Sequence, residues 1–317
     1  MISYFLFIIG FVLLIKGADW LVDGASSLAK KAGISAIVIG LTVVAFGTSM
    51  PEFVVNVLAG IKGTANIALG NILGSNIVNI LLILGLSMII RPLIVKNNTI
   101  WKEIPLAVLA VVVLWIMASD IFIDNAPASF LSRADGLIMI LFFLIFLYYI
   151  LSIRHSDVEI GDKIKKISYS TSFLMIVGGL VCLILGGKWI VDGAILIAES
   201  LGVSEALIGL TIVAIGTSLP ELATSIAAVV KKNSDIAVGN IIGSNIFNIF
   251  WVLGATSLIK PLPISTEINI DILVTLFATL LLFVFTLIGE RAKLTRGQGV
   301  VFVGLYIIYV IYLIIRG

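Results

Sequence analysis

Residues 47–52 read GTSMPE, and residues 70–79 read GNILGSNIVN. Both stretches recur 169 positions later, as GTSLPE at 216–221 and GNIIGSNIFN at 239–248. The register also holds outside them. Trp20 falls on Trp189, Asp23 on Asp192 and Pro92 on Pro261, with no gap from Gly17 to Pro92. Chance similarity between apolar segments would match leucine with isoleucine; it would not align Pro, Glu, Asn and Ser. The chain therefore reads as a duplication, and its fold must be one that two copies of a unit can build.

That unit is a set of membrane-crossing helices. Of 317 residues, 60% are hydrophobic and 12% are charged, and mean hydropathy is +1.22. Soluble domains carry about 25% charge, so a water-soluble globular protein is excluded. Apolar runs mark ten candidate spans, at 3–26, 36–60, 65–90, 102–119, 134–153, 171–196, 206–230, 236–259, 268–288 and 298–315. Each is close to the roughly 20 apolar residues that a bilayer requires. Helices are expected because a helix satisfies its own backbone hydrogen bonds in lipid. The alternating polarity of a transmembrane barrel is absent. Nothing basic precedes the apolar run 2–15, which reads as a retained first span and not as a cleaved leader.

Ten spans divide into five per copy. An odd number sends the second copy into the membrane from the opposite side, which makes an inverted repeat, a common architecture of secondary transporters. The expected organisation is a first five-helix repeat at 1–153, a linker at 154–170 and a second, inverted five-helix repeat at 171–317. Lysines and arginines agree with it. Fourteen follow odd-numbered spans, among them Lys30, Lys31, Arg154 and Lys231, whereas four (Lys62, Arg133, Lys260 and Arg316) lie on the other side. Positive charge collects on the cytoplasmic side, so both termini are expected outside and the linker inside.

Composition closes several other functions. Cys182 is the lone cysteine and His155 the lone histidine. An internal disulfide, a cysteine-rich metal site and a multi-imidazole zinc or copper site are thereby excluded. Net charge is +2 and the basic residues are scattered, which gives no footprint for nucleic acid. No nucleophile–base pair lies within the spans, so an enzyme is not expected. The segment 120–125 lacks the glycine and spacing of an EF-hand loop and reads as a surface turn.

Glu52 and Glu221 need an explanation. Each lies inside an apolar span with no basic residue nearby in sequence. An acid at the bilayer centre costs on the order of 3 kcal/mol. Beside them, Pro51 and Pro220 have no N–H and cannot bond the carbonyls of Gly47 and Gly216. Oxygens freed at lipid depth need a partner, and a bound cation is one. Ala45, Thr48, Ser49 and Glu52 fall at i, i+3, i+4 and i+7, which is one helix face. Ala214, Thr217, Ser218 and Glu221 repeat the pattern. Asn71, Ser75 and Asn79 recur every four residues as a polar stripe, mirrored by Asn240, Ser244 and Asn248. Gly70 with Gly74, and Gly239 with Gly243, permit close helix approach. Ser75, Ser244, Asn79 and Asn248 are assigned to an ion site, with Asn71, Asn76, Asn240 and Asn245 supporting it. All the donors are hard oxygens, which suit Ca2+ better than Mg2+, because Mg2+ holds its waters tightly.

The paired G-T-S-x-P-E and G-N-x-x-G-S-N-x-x-N segments resemble the alpha-repeats of the cation/calcium antiporter superfamily, particularly its sodium/calcium exchangers, over essentially the full chain. The resemblance implies an all-α polytopic membrane protein of ten transmembrane helices that exchanges Na+ for Ca2+ by alternating access, without a cofactor. It implies that Glu52 and Glu221 ligate Ca2+. It also implies that oxygens at Thr48, Thr217, Ser49, Ser218, Ser75, Ser244, Ala45 and Ala214 bind Ca2+ or flanking Na+. Many sodium-coupled relatives carry Asp where this chain has Asn79 or Asn248. Here the central site has two formal carboxylates, which one Ca2+ or two Na+ would neutralise. H+ or K+ coupling stays open. A Ca2+/H+ antiporter of the same architecture is the alternative, and a cation channel the distant one. The expected setting is the lipid of a prokaryotic plasma membrane, with no nucleic acid and no obligatory protein partner.

Overall fold

A computed structural model describes residues 2–154, 167–200, 214–288 and 292–316. Most of the linker expected at 154–170, and the first part of the span expected at 206–230, lie outside the described residues. Within them, eight helices are long and apolar enough to cross a membrane. These are Ile2–Ala32, Ala65–Ile90, Thr99–Met117, Arg133–Ile153, Tyr169–Ser200, Ser234–Ile259, Thr266–Leu287 and Arg296–Arg316. A further crossing is a bent pair, Ala36–Thr48 and Met50–Lys62, which meet at 47°. The shorter apolar helix Leu219–Val230 is its counterpart in the second copy. Boundaries agree with the apolar runs to within a few residues, except that the first helix continues to Ala32.

The fold is helical as expected, with two short antiparallel ladders in its connections. Leu93–Ile94 pairs antiparallel with Lys293–Leu294, and Ser129–Leu131 pairs antiparallel with Leu262–Ile264. Each ladder ties a connection of one copy to a connection of the other. Chain leaving a helix still has backbone donors and acceptors to satisfy, and these short pairings do so without a hydropathy signal.

Helices Ala65–Ile90 and Ser234–Ile259 form the centre; 78% and 94% of their apolar windows are buried, against 22% for Arg296–Arg316 at the edge. Glycine decides how closely neighbours approach. A Cβ on Gly239 would sit 2.8 Å from the Ile37 carbonyl oxygen, and one on Gly243 would sit 2.8 Å from that of Leu41. Backbone therefore packs on backbone, as the G-x-x-x-G spacing implied. Gly70 faces open space among the described residues.

A second glycine seam joins Ile2–Ala32 to Tyr169–Ser200. A Cβ on Gly17 would lie 2.8 Å from the Gly179 carbonyl oxygen, and one on Gly179 would lie 2.8 Å from that of Gly17. Gly10 and Gly186 face each other in the same way at 2.9 and 2.7 Å. The order of these pairs makes the helices antiparallel. Lipid is as apolar as leucine, so helices gain little by hiding apolar surface from it. Close van der Waals contact along such a seam holds them instead.

Connections gather at two opposite ends. At one, the Ser35 N–H donates to the Arg154 carbonyl at 3.0 Å, the Val95 N–H donates to the Ala292 carbonyl at 2.9 Å, and Lys96 pairs with Asp235 at 2.9 Å. Lys30, Lys31, Arg91, Lys231, Lys232 and Arg296 cluster there, and this is called the basic end below. The other end holds the ladder of Ser129–Leu131 with Leu262–Ile264, and Arg133 Nε donates to the Leu258 carbonyl at 3.2 Å.

If the Gly17–Gly179 contact holds the long helices together, Gly17→Val and Gly179→Val should each destabilise the protein by about 1–3 kcal/mol, through overpacking against backbone that cannot move aside. Gly304→Ala, at a position with open space around it, should leave stability unchanged. Thermal unfolding in detergent, followed by the loss of monodisperse protein, measures both.

Candidate cation-binding site

Proline shapes the site. Pro51 and Pro220 each sit in the first turn of a helix, Met50–Lys62 and Leu219–Val230, where a missing N–H leaves no bond unmade. The residue that caps each helix leaves helical geometry: Ser49 has φ −82° and ψ 6°, and Ser218 has φ −87° and ψ 5°. The single continuous face expected for Ala45 to Glu52 is therefore corrected. Ala45 and Thr48 belong to the helix before the break, and Glu52 to the first turn after it. Ala214–Thr217 and Glu221 repeat this arrangement. The Ala45 carbonyl accepts from the Ser49 N–H at 3.0 Å and lies 3.3 Å from the Thr48 hydroxyl.

Both acids are completely buried, and each is held by a serine from either copy. Ser75 and Ser218 donate to Glu52 Oε1 at 3.3 and 3.4 Å. Ser244 and Ser49 donate to Glu221 Oε1 at 3.4 and 3.0 Å. The break in one half thus delivers a hydroxyl to the carboxylate of the other, which brings the two acids into one chamber. Among the described residues neither acid has an ion-pair partner, and Lys188 pairs with Asp192 at 3.7 Å.

Asn79 and Asn248 close the chamber from the central helices. They lie in underwound, π-type turns at Val78–Leu84 and Phe247–Leu253, a deformation frequent at functional positions. The stripe Asn71–Ser75–Asn79 is thus regular helix only as far as Ile77. Asn79 Nδ2 donates to Asn245 Oδ1 at 3.0 Å, and Asn248 Nδ2 donates to Asn76 Oδ1 at 3.0 Å. Asn76 and Asn245 in turn donate to each other's backbone carbonyl at 3.4 Å. With their nitrogens committed, Asn79 and Asn248 present their oxygens.

Four buried oxygens then lack any donor: Glu52 Oε2, Glu221 Oε2, Asn79 Oδ1 and Asn248 Oδ1. A buried polar atom without a partner is expensive, and natural proteins contain few. No donor side chain within the chamber could serve four acceptors at once; a hard cation could.

Thr48 and Thr217 tie the acids' surroundings to the central helices. Their hydroxyls donate to Asn240 Oδ1 at 3.0 Å and Asn71 Oδ1 at 3.2 Å. Asn240 Nδ2 donates onward to Ser225 Oγ at 3.0 Å. Three residues absent from the sequence-derived set join here. Asn56 donates to the Glu52 carbonyl at 2.9 Å, and Asn56 Oδ1 and Thr224 Oγ1 are buried without partners. Asn56 and Ser225 coincide under the 169-residue shift and follow the acids by four residues, a signal present in the sequence.

Another buried acid behaves differently. Asp271, in the helix Thr266–Leu287, accepts from Arg316 at 3.0 and 3.1 Å and from the Tyr309 hydroxyl at 3.0 Å. Arg316 thus reaches back from the chain end to neutralise it. Buried charge is normally compensated in this way; among the described residues Glu52 and Glu221 lack such a partner, as does Glu103, which accepts from the Tyr149 hydroxyl but has no equivalent in the other copy.

The chain matches the family model described as "Sodium/calcium exchanger protein" over residues 2–152 and 171–315. It is 37% identical to inner membrane protein YrbG of Escherichia coli (strain K12) over 277 residues, 83% of this chain and 81% of that one. It is 29% identical to sodium/calcium exchanger MaX1 of Methanosarcina acetivorans over 303 residues, 84% of this chain and 85% of that one. Among solved structures, sodium-calcium exchanger NCX_Mj superposes with a TM-score of 0.84 at 36% identity, covering 97% of each chain.

The asparagine clamps give a test that leaves the four oxygens themselves in place. Asn76→Ala and Asn245→Ala free the amides of Asn248 and Asn79 to rotate. Each should weaken Ca2+ binding by about tenfold, as loss of an orienting neighbour does at metal sites. Equilibrium binding of radioactive calcium to purified protein measures the change.

Proposed function

Because the chain belongs to the sodium/calcium exchanger family of the cation/calcium antiporter superfamily, and is thus a membrane transporter and not an enzyme, we propose that it exchanges Na+ for Ca2+ across the plasma membrane by alternating access. Members of the family carry Na+ and Ca2+ and need no cofactor. The observation that carries the reading for this chain is the pair of buried, uncompensated acids, Glu52 and Glu221, with two asparagine oxygens left without donors beside them.

In this reading Ca2+ binds between Glu52 and Glu221, with Asn79 and Asn248 as neutral ligands. Ser49, Ser75, Ser218 and Ser244, together with Thr48, Thr217 and the Ala45 and Ala214 carbonyls, serve Ca2+ or flanking Na+. The serine hydroxyls now bonded to the carboxylates supply these contacts by turning a lone pair toward the ion. Coupling follows from charge. With the site empty, two carboxylates repel each other in a dry chamber, and closing over them is costly. One Ca2+, or two Na+, cancels their charge and allows closure. Only loaded carriers then change sides, so the two fluxes are tied.

The same reading takes the chain as ten transmembrane helices in two inverted five-helix repeats, the first ending near residue 153 and the second beginning near 171. Hydrogen bonds around the site support it, because they occur in pairs under the 169-residue shift: Ser49–Glu221 with Ser218–Glu52, and Asn79–Asn245 with Asn248–Asn76. The basic end is taken as cytoplasmic, which leaves both termini outside.

Vesicles loaded with Na+ and diluted into Na+-free medium should take up radioactive calcium, and Glu52→Gln with Glu221→Gln should reduce uptake at least a hundredfold. Undiminished uptake by that variant would refute the site. Only an ionised carboxylate is a ligand, so uptake should fall as the medium is acidified. Uptake that ignores Na+ and follows an imposed pH gradient would select Ca2+/H+ exchange instead.

A further inference from the structure

Away from the cation site, the two copies differ in how their long first helices are held. At the basic end, Lys231 grips Ile2–Ala32. Its ammonium reaches the Asp19 carbonyl oxygen at 2.8 Å, Asp19 Oδ1 at 3.1 Å and Asp23 Oδ1 at 2.8 Å. Under the 169-residue shift, Lys231 corresponds to Lys62, Asp23 to Asp192 and Asp19 to Lys188. The lysine and one aspartate are duplicated; the second aspartate is replaced by a lysine. Lys188 and Asp192 pair with each other at 3.7 Å, both more than half exposed, at 68% and 55%. Packing shows the same asymmetry. Ile2–Ala32 lies along Leu219–Val230, whereas among the described residues Tyr169–Ser200 has no comparable contact with Met50–Lys62.

We infer, on the alternating-access reading proposed above, that Lys231 and Lys62 are alternate latches of the transport cycle. Two inverted copies generate two mirror-related conformations when they exchange shapes. In the conformation described here, Lys231 closes the basic end. In its mirror, Lys231 releases Asp19 and Asp23, and Lys62 takes the equivalent position on Tyr169–Ser200, bonding Asp192 and the backbone carbonyl of Lys188. The glycine seam makes the two long helices one body, so closing either end opens the other. Lys188 weakens the second latch twice. It removes a carboxylate, and it offers Asp192 a competing cation. The carrier at rest is therefore biased toward the Lys231-bonded arrangement, the one the structure has.

Spin labels at Lys30→Cys and Val230→Cys, in a Cys182→Ser background, report the width of the basic end by pulsed dipolar spectroscopy. Lys231→Ala should enlarge the long-distance population about two- to fivefold, the range for ion pairs this exposed. Lys188→Asp, within the helix Tyr169–Ser200, should do the same by completing the second latch. Adding Lys62→Ala should abolish the Lys188→Asp effect. An unchanged distribution in Lys231→Ala, or a Lys188→Asp effect that survives loss of Lys62, overturns the latch. A parent protein with one unvarying distance in every Na+ and Ca2+ condition overturns the alternating-access reading itself.

Discussion

Two carboxylates in a dry chamber at lipid depth repel each other and lose their hydration, and neither cost is met until positive charge enters beside them. Glu52 and Glu221 are placed under this constraint by the fold. Each is delivered by a helix that restarts at a proline, and each is bonded by a serine from the opposite half. The protein thus cannot satisfy one acid without bringing the other close. Asp271 provides the internal contrast: it is also buried, yet Arg316 pairs with it and the Tyr309 hydroxyl donates to it. An acid with such partners has no use for a mobile ion.

In the proposed reading, the surrounding amides make the chamber selective in kind. Asn76 and Asn245 occupy the nitrogens of Asn248 and Asn79, which leaves the two amide oxygens buried without donors. Orientation by such neighbours is fixed before any ion arrives, so little reorganisation is required on binding.

Much of this was legible in the chain because duplication made it so. A lone Pro-Glu inside an apolar run is ambiguous; the same dipeptide twice, 169 residues apart with Asn and Ser in register, is not. Apolar runs then located the described helices within a few residues. Features that depend on backbone geometry escaped. The underwound turns at Asn79 and Asn248 leave no trace in hydropathy, since their residues are as apolar as those of a regular helix. The break at Ser49 divides a face that simple helical spacing kept whole. The seam of Gly10 and Gly17 against Gly186 and Gly179 repeats every seven residues and could have been read. Arg316 was counted as a loop charge because sequence distance hides its reach to Asp271, 45 residues earlier.

Diffraction from crystals soaked in Ca2+ or its heavier analogue Sr2+ bears most directly on the shared chamber. The account predicts one anomalous peak between the two acids, about 2.3–2.6 Å from oxygens of both Glu52 and Glu221, with Asn79 and Asn248 oxygens turned toward it. A peak bound to one acid alone, or density for the ion only at the protein surface, would contradict it.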